Sequence, residues 1–160
     1  MLLIALTQPQ LRAYLNPLKE VEKKIEIPLS QELMTEQTKR AMRLKIEKMN
    51  GVPCKDHPWY TYWLLVLNTS KRGVGVIGFK GIHTASVEIG YAIEPGHRNM
   101  GYMTEAVKAL VMWAFKDERC HSIFAPVPRS NPASSKVLQK VGFWLEKEDN
   151  EILHWKVERN

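Results

Sequence analysis

The spacing of apolar residues changes several times along this chain, and each change marks a predicted element. Residues 2–6 are continuously apolar and suit a short strand. Residues 9–16 suit a helix that stops before Pro17, because the position ahead of a proline is biased away from helical geometry. Ser30 is then the expected N-cap of one long helix reaching Asn50 and Gly51. Along it Leu33, Met34, Ala41, Leu44 and Met49 form an apolar stripe, with Arg40, Arg43, Lys45 and Lys48 turned elsewhere.

From Tyr60 the period shortens. YTYWLLVLN, VGVIGFKG and SVEIGYAI are strand-length, rich in aromatic and β-branched residues, and separated by turn-forming segments, which predicts a three-strand meander. Glu94-Pro95-Gly96 ends it. Residues 102–116 place Met103, Ala106, Val107, Leu110 and Ala114 at spacings of 3 and 4, the mark of a helix facing a core. HSIFAPV reads as the next strand, residues 132–141 as a helix stopped by Gly142, and FWLEKED with ILHWKVE as a closing hairpin through Asn150. The pattern is α+β with a mixed sheet. If the strands flanking the 102–116 helix are parallel neighbours, their crossover is right-handed.

With 160 residues, 44% of them hydrophobic and 25% charged, and no repeat or low-complexity linker, the expected organisation is one globular domain over 1–160. Disorder, a collagen-like fold and a membrane span are excluded. The apolar start lacks the basic region and the length of a secretion signal. Cys54 and Cys120 are too few for a disulfide framework, and no Cys/His spacing suits zinc, so a reducing cytosol and no metal are expected. A net charge of +6 suits an anionic partner such as nucleic acid, an acidic lipid face or a phosphorylated cofactor. Acidic residues interrupt the basic face at residues 39–48 and no groove-reading motif is present, which disfavours nucleic acid.

Chemistry concentrates at two strand-to-helix junctions. HRNMGYMTEA, residues 97–106, leaves a predicted buried strand and enters an amphipathic helix. Such a start offers N–H groups with no intrahelical partner and the positive end of the helix dipole, a setting that favours phosphate. Gly101 permits close approach of a ligand to the backbone, and Arg98 adds a permanent charge. At the second junction, NPASSKVLQKVGF, Asn131, Ser134 and Ser135 can cap a helix and also line the same cleft.

Arg98-x-x-Gly101-x-Met103, continued as Gly101-Tyr102-Met103-Thr104-Glu105-Ala106, resembles the pyrophosphate loop of the GNAT N-acetyltransferases, in the form common among ribosomal-protein N-acetyltransferases. Asn131-x-x-Ser134, with Val137-Leu138 and Gly142-Phe143, is similar to that family's second motif. The likeness runs over residues 59–158. It implies a central mixed, mostly antiparallel sheet flanked by helices, with splayed middle strands that receive acetyl-CoA. Backbone at Tyr91, Ala92 and Ile93 would meet the pantetheine arm. The amides of Arg98, Asn99, Met100, Gly101, Tyr102 and Met103 would hold the pyrophosphate. Asn131 and Ser134 would lie by the thioester, with Lys136 and Lys140 toward the nucleotide. Met103 replaces the family's usual Gly or Ala and would crowd a phosphate if it pointed inward. Pro126, lacking an N–H, fits where strand pairing stops.

The expected reaction is direct acetyl transfer to a primary amine on a protein N-terminus, a peptide or a small molecule. The alternative is an acyl-CoA-binding sensor without turnover. Strand alternation puts Val87, Ile89, Tyr91 and Ile93 on one face and Ser86, Glu88, Gly90 and Ala92 on the other. Glu88 is therefore the candidate base and Ser134 the second catalytic candidate, while no tyrosine matches the family's usual acid. His83 is a possible proton shuttle and Cys120 a possible nucleophile, each weighed against an exposed loop histidine and a buried apolar thiol. Trp59, Tyr60, Tyr62 and Trp63 read as packing before they read as a pocket wall. No membrane partner is expected, and an exposed hairpin edge is available for a homodimer.

Overall fold

A computed structural model describes residues 1–16 and 27–160. Strand β1 (Leu2–Ala5) and helix α1 (Gln8–Leu15) open the chain, and Thr7 caps α1 in a capping box with Gln10. Helix α2 (Glu36–Met49) leads to the antiparallel strands β2 (Trp63–Val66), β3 (Gly73–Phe79) and β4 (Ser86–Ile93). Helix α3 (Tyr102–Ala114), strand β5 (Ser122–Pro128), helix α4 (Pro132–Val141) and the hairpin β6 (Trp144–Glu148) and β7 (Ile152–Glu158) follow. Among the described residues seven strands form one sheet in the order β1-β2-β3-β4-β5-β7-β6, with β4 and β5 the parallel pair. This is the mixed, mostly antiparallel α+β architecture the sequence predicts.

The parallel pair is short. β4 and β5 are in register only at Ser86↔Ser122, Val87↔Ile123 and Glu88↔Phe124, yet β4 stays paired with β3 up to Ile93 and β5 with β7 down to Pro128. Beyond Glu88 the two strands part.

Hydrogen-bond parity fixes what faces the gap. Lys80 N–H donates to Glu88 O at 3.0 Å and Glu94 N–H to Val74 O at 2.8 Å, so Glu88, Gly90, Ala92 and Glu94 direct their backbone to β3. Ile89, Tyr91 and Ile93 consequently direct theirs to β5. On β5, Arg159 N–H donates to His121 O at 2.9 Å and Arg129 N–H to Glu151 O at 2.8 Å, which assigns the odd positions to β7. Phe124, Pro126 and Pro128 face β4, and the two prolines have no N–H to offer there.

Helices cover both faces. Phe79 rings with Trp113 of α3 on one face, while the adjacent Gly78 lies under Lys45 of α2 on the other. The core between sheet and helices includes Leu64, Ile77, Phe79, Leu110, Ile123 and Leu138, all buried.

Three expectations are corrected. Ser30 caps only a 3₁₀ turn at Gln31–Leu33, and Thr35 caps α2, because Met34 leaves helical geometry at ψ 46°. Tyr60, Thr61 and Tyr62 precede β2 instead of belonging to it, since a 3₁₀ turn over Cys54–Trp59 delays the strand. On α2 the buried face is Thr38, Met42, Lys45, Ile46 and Met49, while Leu44 is exposed. The helix is rotated by one position from the stripe read in the sequence.

Candidate acyl-donor cleft

The first junction is built from an anchored strand end. Glu94, buried at the end of β4, pairs with Arg72 at 2.7 Å and with His97 at 2.7 Å. The Ser30 hydroxyl, followed by Arg72 and His97, holds its carboxyl below the ordinary range. After the turn at Pro95–His97 the chain passes through positive φ at Asn99 (60°) and Gly101 (83°), and α3 begins at Tyr102 with no side-chain cap. Among the described residues, the N–H groups of Asn99, Met100, Gly101, Tyr102 and Met103 have no backbone or side-chain acceptor. Arg98 differs, since its N–H already donates to Pro95 O at 3.2 Å, leaving its exposed guanidinium as the group that can meet a ligand. Met103 is buried among core residues, so it does not crowd the loop.

The gap between β4 and β5 continues this cradle. Tyr91 and Ile93 present N–H and C=O toward it, whereas Ala92 is turned to Val76 of β3 and offers the gap no backbone group. The Tyr91 hydroxyl crosses to α4 and donates to Ser134 O at 3.1 Å, and burial pushes its pKa up to about 12. Asn131 caps α4 by accepting from Ser134 N–H at 3.2 Å, so Asn131 and Ser134 stand at the helix start, with Lys136 and Lys140 exposed beyond them. The Ser135 hydroxyl is instead buried with no partner among the described residues.

Glu88 lies where the strands separate. Its carboxylate pairs with Lys80 at 2.5 Å and its side chain keeps 20% exposure. It shares a sheet face with Gly90, above which a Cβ would meet nothing within 4 Å. The cleft thus opens on the α2 side, next to a carboxylate.

The remaining candidates sort themselves by burial. Cys120 is fully buried and its thiol is pushed up to about 11 by desolvation, so it stays protonated and is no nucleophile. His83 is exposed on its loop, 3.4 Å from the Tyr60 hydroxyl. Trp59 packs on Phe79 and Trp113 with centroids 5.0 and 4.7 Å apart, and Trp63 on Trp113 at 5.0 Å. These rings build core. Lys45 is the residue the sequence pattern misplaces: set with Arg40, Arg43 and Lys48 away from the apolar stripe, it is buried beneath β3. A signal was present in Gly78 and Gly90, which pair across β3 and β4: Gly90 leaves open space above the sheet, and the missing side chain of Gly78 admits the Thr61 carbonyl and the Lys45 ammonium. Glu94 was read as a strand terminator and is also the anchor of the loop. Among the described residues no cluster of His, Cys, Asp or Glu could hold a metal ion, and no helix is long and apolar enough to cross a membrane.

The sequence and the fold are similar to those of known proteins. The family model described as "Acetyltransferase (GNAT) domain" matches residues 3–144. The "Uncharacterized N-acetyltransferase YjdG" of Bacillus subtilis strain 168 is 36% identical over 95 residues, covering 58% of this chain and 56% of that relative. The chain spans about half or less of the curated relatives it matches, 56% and 42% of the first two. In fold it is similar to the ribosomal-protein-S5-alanine acetyltransferase from Vibrio fischeri, with a TM-score of 0.67 at 18% identity over 98% of this chain and 91% of that one. The N-acetyltransferase PseH of Campylobacter jejuni in complex with acetyl coenzyme A gives a TM-score of 0.65 at 18% identity over 99% and 100% of the two chains.

Proposed function

The chain belongs to the GNAT acetyltransferase family, and from that premise we propose that it moves an acetyl group from acetyl-CoA to a primary amine by direct attack. The observation that carries this reading is the β4–β5 gap, lined on one side by the free backbone of Tyr91 and Ile93 and closed at its end by the unpartnered amides of Asn99 to Met103. Those amides, the dipole of α3 and the Arg98 guanidinium suit a diphosphate. We take Asn131, Ser134, Lys136 and Lys140, at the start and along the body of α4, as the residues that would border the bound cofactor.

Acetyl-CoA supplies the activated acyl group: the amine forms the new C–N bond, the C–S bond breaks, and CoA leaves as a thiol. The chain's own part is to position and to move one proton. Glu88 takes a proton from the bound ammonium, exchanging its present partner Lys80 for the incoming cation, and the neutral amine then attacks. A lysine amine is neutral in roughly one molecule in 2,500 at pH 7, an α-amine in roughly one in seven, so an α-amine asks less of the base. A thiol with an ordinary pKa near 8.5 leaves without strong acid help. Tyr91 stays protonated and Ser134 sits at the same helix start, so both serve the carbonyl side of the site by holding α4 against β4.

We place the protein in a reducing cytosol, in keeping with the unpaired Cys54 and Cys120. The GYMTEA run, residues 101–106, supports placing it in the ribosomal-protein N-acetyltransferase branch. The test is a thiol-release assay with acetyl-CoA over a panel of primary amines, beside calorimetry with CoA. Release of one thiol per acetylated amine supports transfer. Tight CoA binding without turnover on any amine would favour the sensor, a reading that the closed Glu88–Lys80 pair supports. Absence of CoA binding would overturn both.

A further inference from the structure

A cavity of about 120 Å³ lies between α2 and the sheet, on the face of β4 that carries Glu88. It has room for roughly four waters at ~30 Å³ each. Its floor is Gly78 and Gly90, which pair across β3 and β4, and Tyr62 walls it. Three lysines border it: Lys45, Lys48 and Lys80.

Their placement is built by the fold. Lys45 and Lys48, one turn apart on α2, donate to the carbonyls of consecutive residues at the end of β3, Lys45 to Phe79 O at 2.6 Å and Lys48 to Lys80 O at 3.0 Å. Lys45 is buried and its ammonium lies 4.5 Å from the centroid of the Tyr62 ring. Burial first, then repulsion from Lys48 and Lys80, pulls its pKa down to about 7. Among the described residues no carboxylate lines the cavity, and Glu88 beside it is taken by Lys80. Three lysines thus meet one carboxylate, and the side-chain nitrogens of Lys45 and Lys48 lie on the β3 side of the cavity, against the carbonyls of Phe79 and Lys80.

The cavity touches the reaction centre of the proposed transfer through Gly90, which adjoins the Glu88 step where β4 and β5 separate. The cavity is thus bordered on the β4 side by Gly90, next along the face from Glu88, and on the β3 side by Lys45 and Lys48. We infer that the acceptor is a small amine carrying a carboxylate, its ammonium received by Glu88 and its carboxylate by Lys45 and Lys48. A polycationic amine would add charge to an already cationic wall, and a neutral amine would leave it unpaired. This inference rests on the transferase reading for the position of the amine, but not for the lysine cavity itself.

The experiment compares acceptors of one skeleton on the full chain: β-alanine, its amide and 1,3-diaminopropane, scored by kcat/KM in the thiol-release assay and by calorimetric binding to the CoA-saturated protein. The carboxylate is expected to be preferred over the amide by about tenfold or more, the scale of one charge-assisted hydrogen bond. Lys48→Gln, at an exposed position, should shrink that ratio severalfold, and Lys45→Met should shrink it further. Equal use of the three amines, preference for the diamine, or a ratio that survives both substitutions would overturn the inference. If no amine is turned over, the binding arm decides: carboxylate-selective binding upholds the cavity's specificity while transfer falls, and unselective or absent binding removes the inference as well.

Discussion

The Tyr91 hydroxyl donates to the Ser134 carbonyl at 3.1 Å, tying β4 to the first turn of α4 at the level where β4 and β5 have already parted. The bond spans an opening that main-chain pairing cannot close, because Pro126 and Pro128 face β4 without an N–H. Strand divergence and helix position are therefore coupled through one side chain.

Tyr91→Phe removes that tie and little else. The expected cost is about 1 kcal/mol, a melting shift of a few degrees for a chain of this size. CoA affinity should fall severalfold as α4 loosens from β4. Unchanged affinity by calorimetry would mean that the tie does not set the width of the cleft.

Gly101→Ala tests the loop. Gly101 holds φ 83° with open space where a Cβ would stand, so the folding penalty is confined to backbone strain of roughly 1–2 kcal/mol. The same methyl would fill open space beside the loop's unpartnered amides, where a bound phosphate would lie. CoA binding should weaken by tenfold or more, well beyond the shift in melting temperature. An equal loss in both, or none in binding, would count against phosphate at this turn.

Glu88→Gln should lower turnover at every pH from 6 to 9, and most for acceptors of high pKa, whose ammonium must lose its proton before attack. The substitution also releases Lys80, so CoA affinity is the control for misfolding. Rates equal to wild type for both lysine-like and α-amine acceptors would remove Glu88 from proton transfer.

Lys45 makes stability depend on pH in a direction opposite to that of a paired lysine. Its folded pKa, pulled down by burial to about 7, is below the unfolded value near 10.4. Between those values the unfolded chain binds more protons, so stability rises with pH from about 7 to 10. Below the folded value the buried ammonium is a constant penalty. Lys45→Met lacks this dependence. The melting temperature of the variant relative to wild type should therefore be highest near pH 6 and decline toward pH 9.5. A gap that is flat or grows with pH would contradict burial of a lysine that is charged when unfolded.

Much of this protein is determined by local sequence. The period-2 runs at 73–79 and 86–93, the 3-and-4 spacing at Met103, Ala106, Val107 and Leu110, and the Gly and Pro stops name the elements, because backbone propensity and burial on one face act over a few residues. The opening between β4 and β5 is local in part: prolines at 126 and 128 deny one edge of β5 its donors, and pairing with β7 turns that edge to β4. Other features exist only once partners are in place. The turn of α2 that buries Lys45 and exposes Leu44 depends on the hollow over Gly78 and Gly90, which belongs to two strands distant in sequence. The parity that turns Tyr91 and Ile93 to the cleft and Ala92 to β3 depends on register, and a shift of one residue would invert it. Pattern decides which segments become helix or strand, whereas register and packing decide which atoms of those segments meet a ligand.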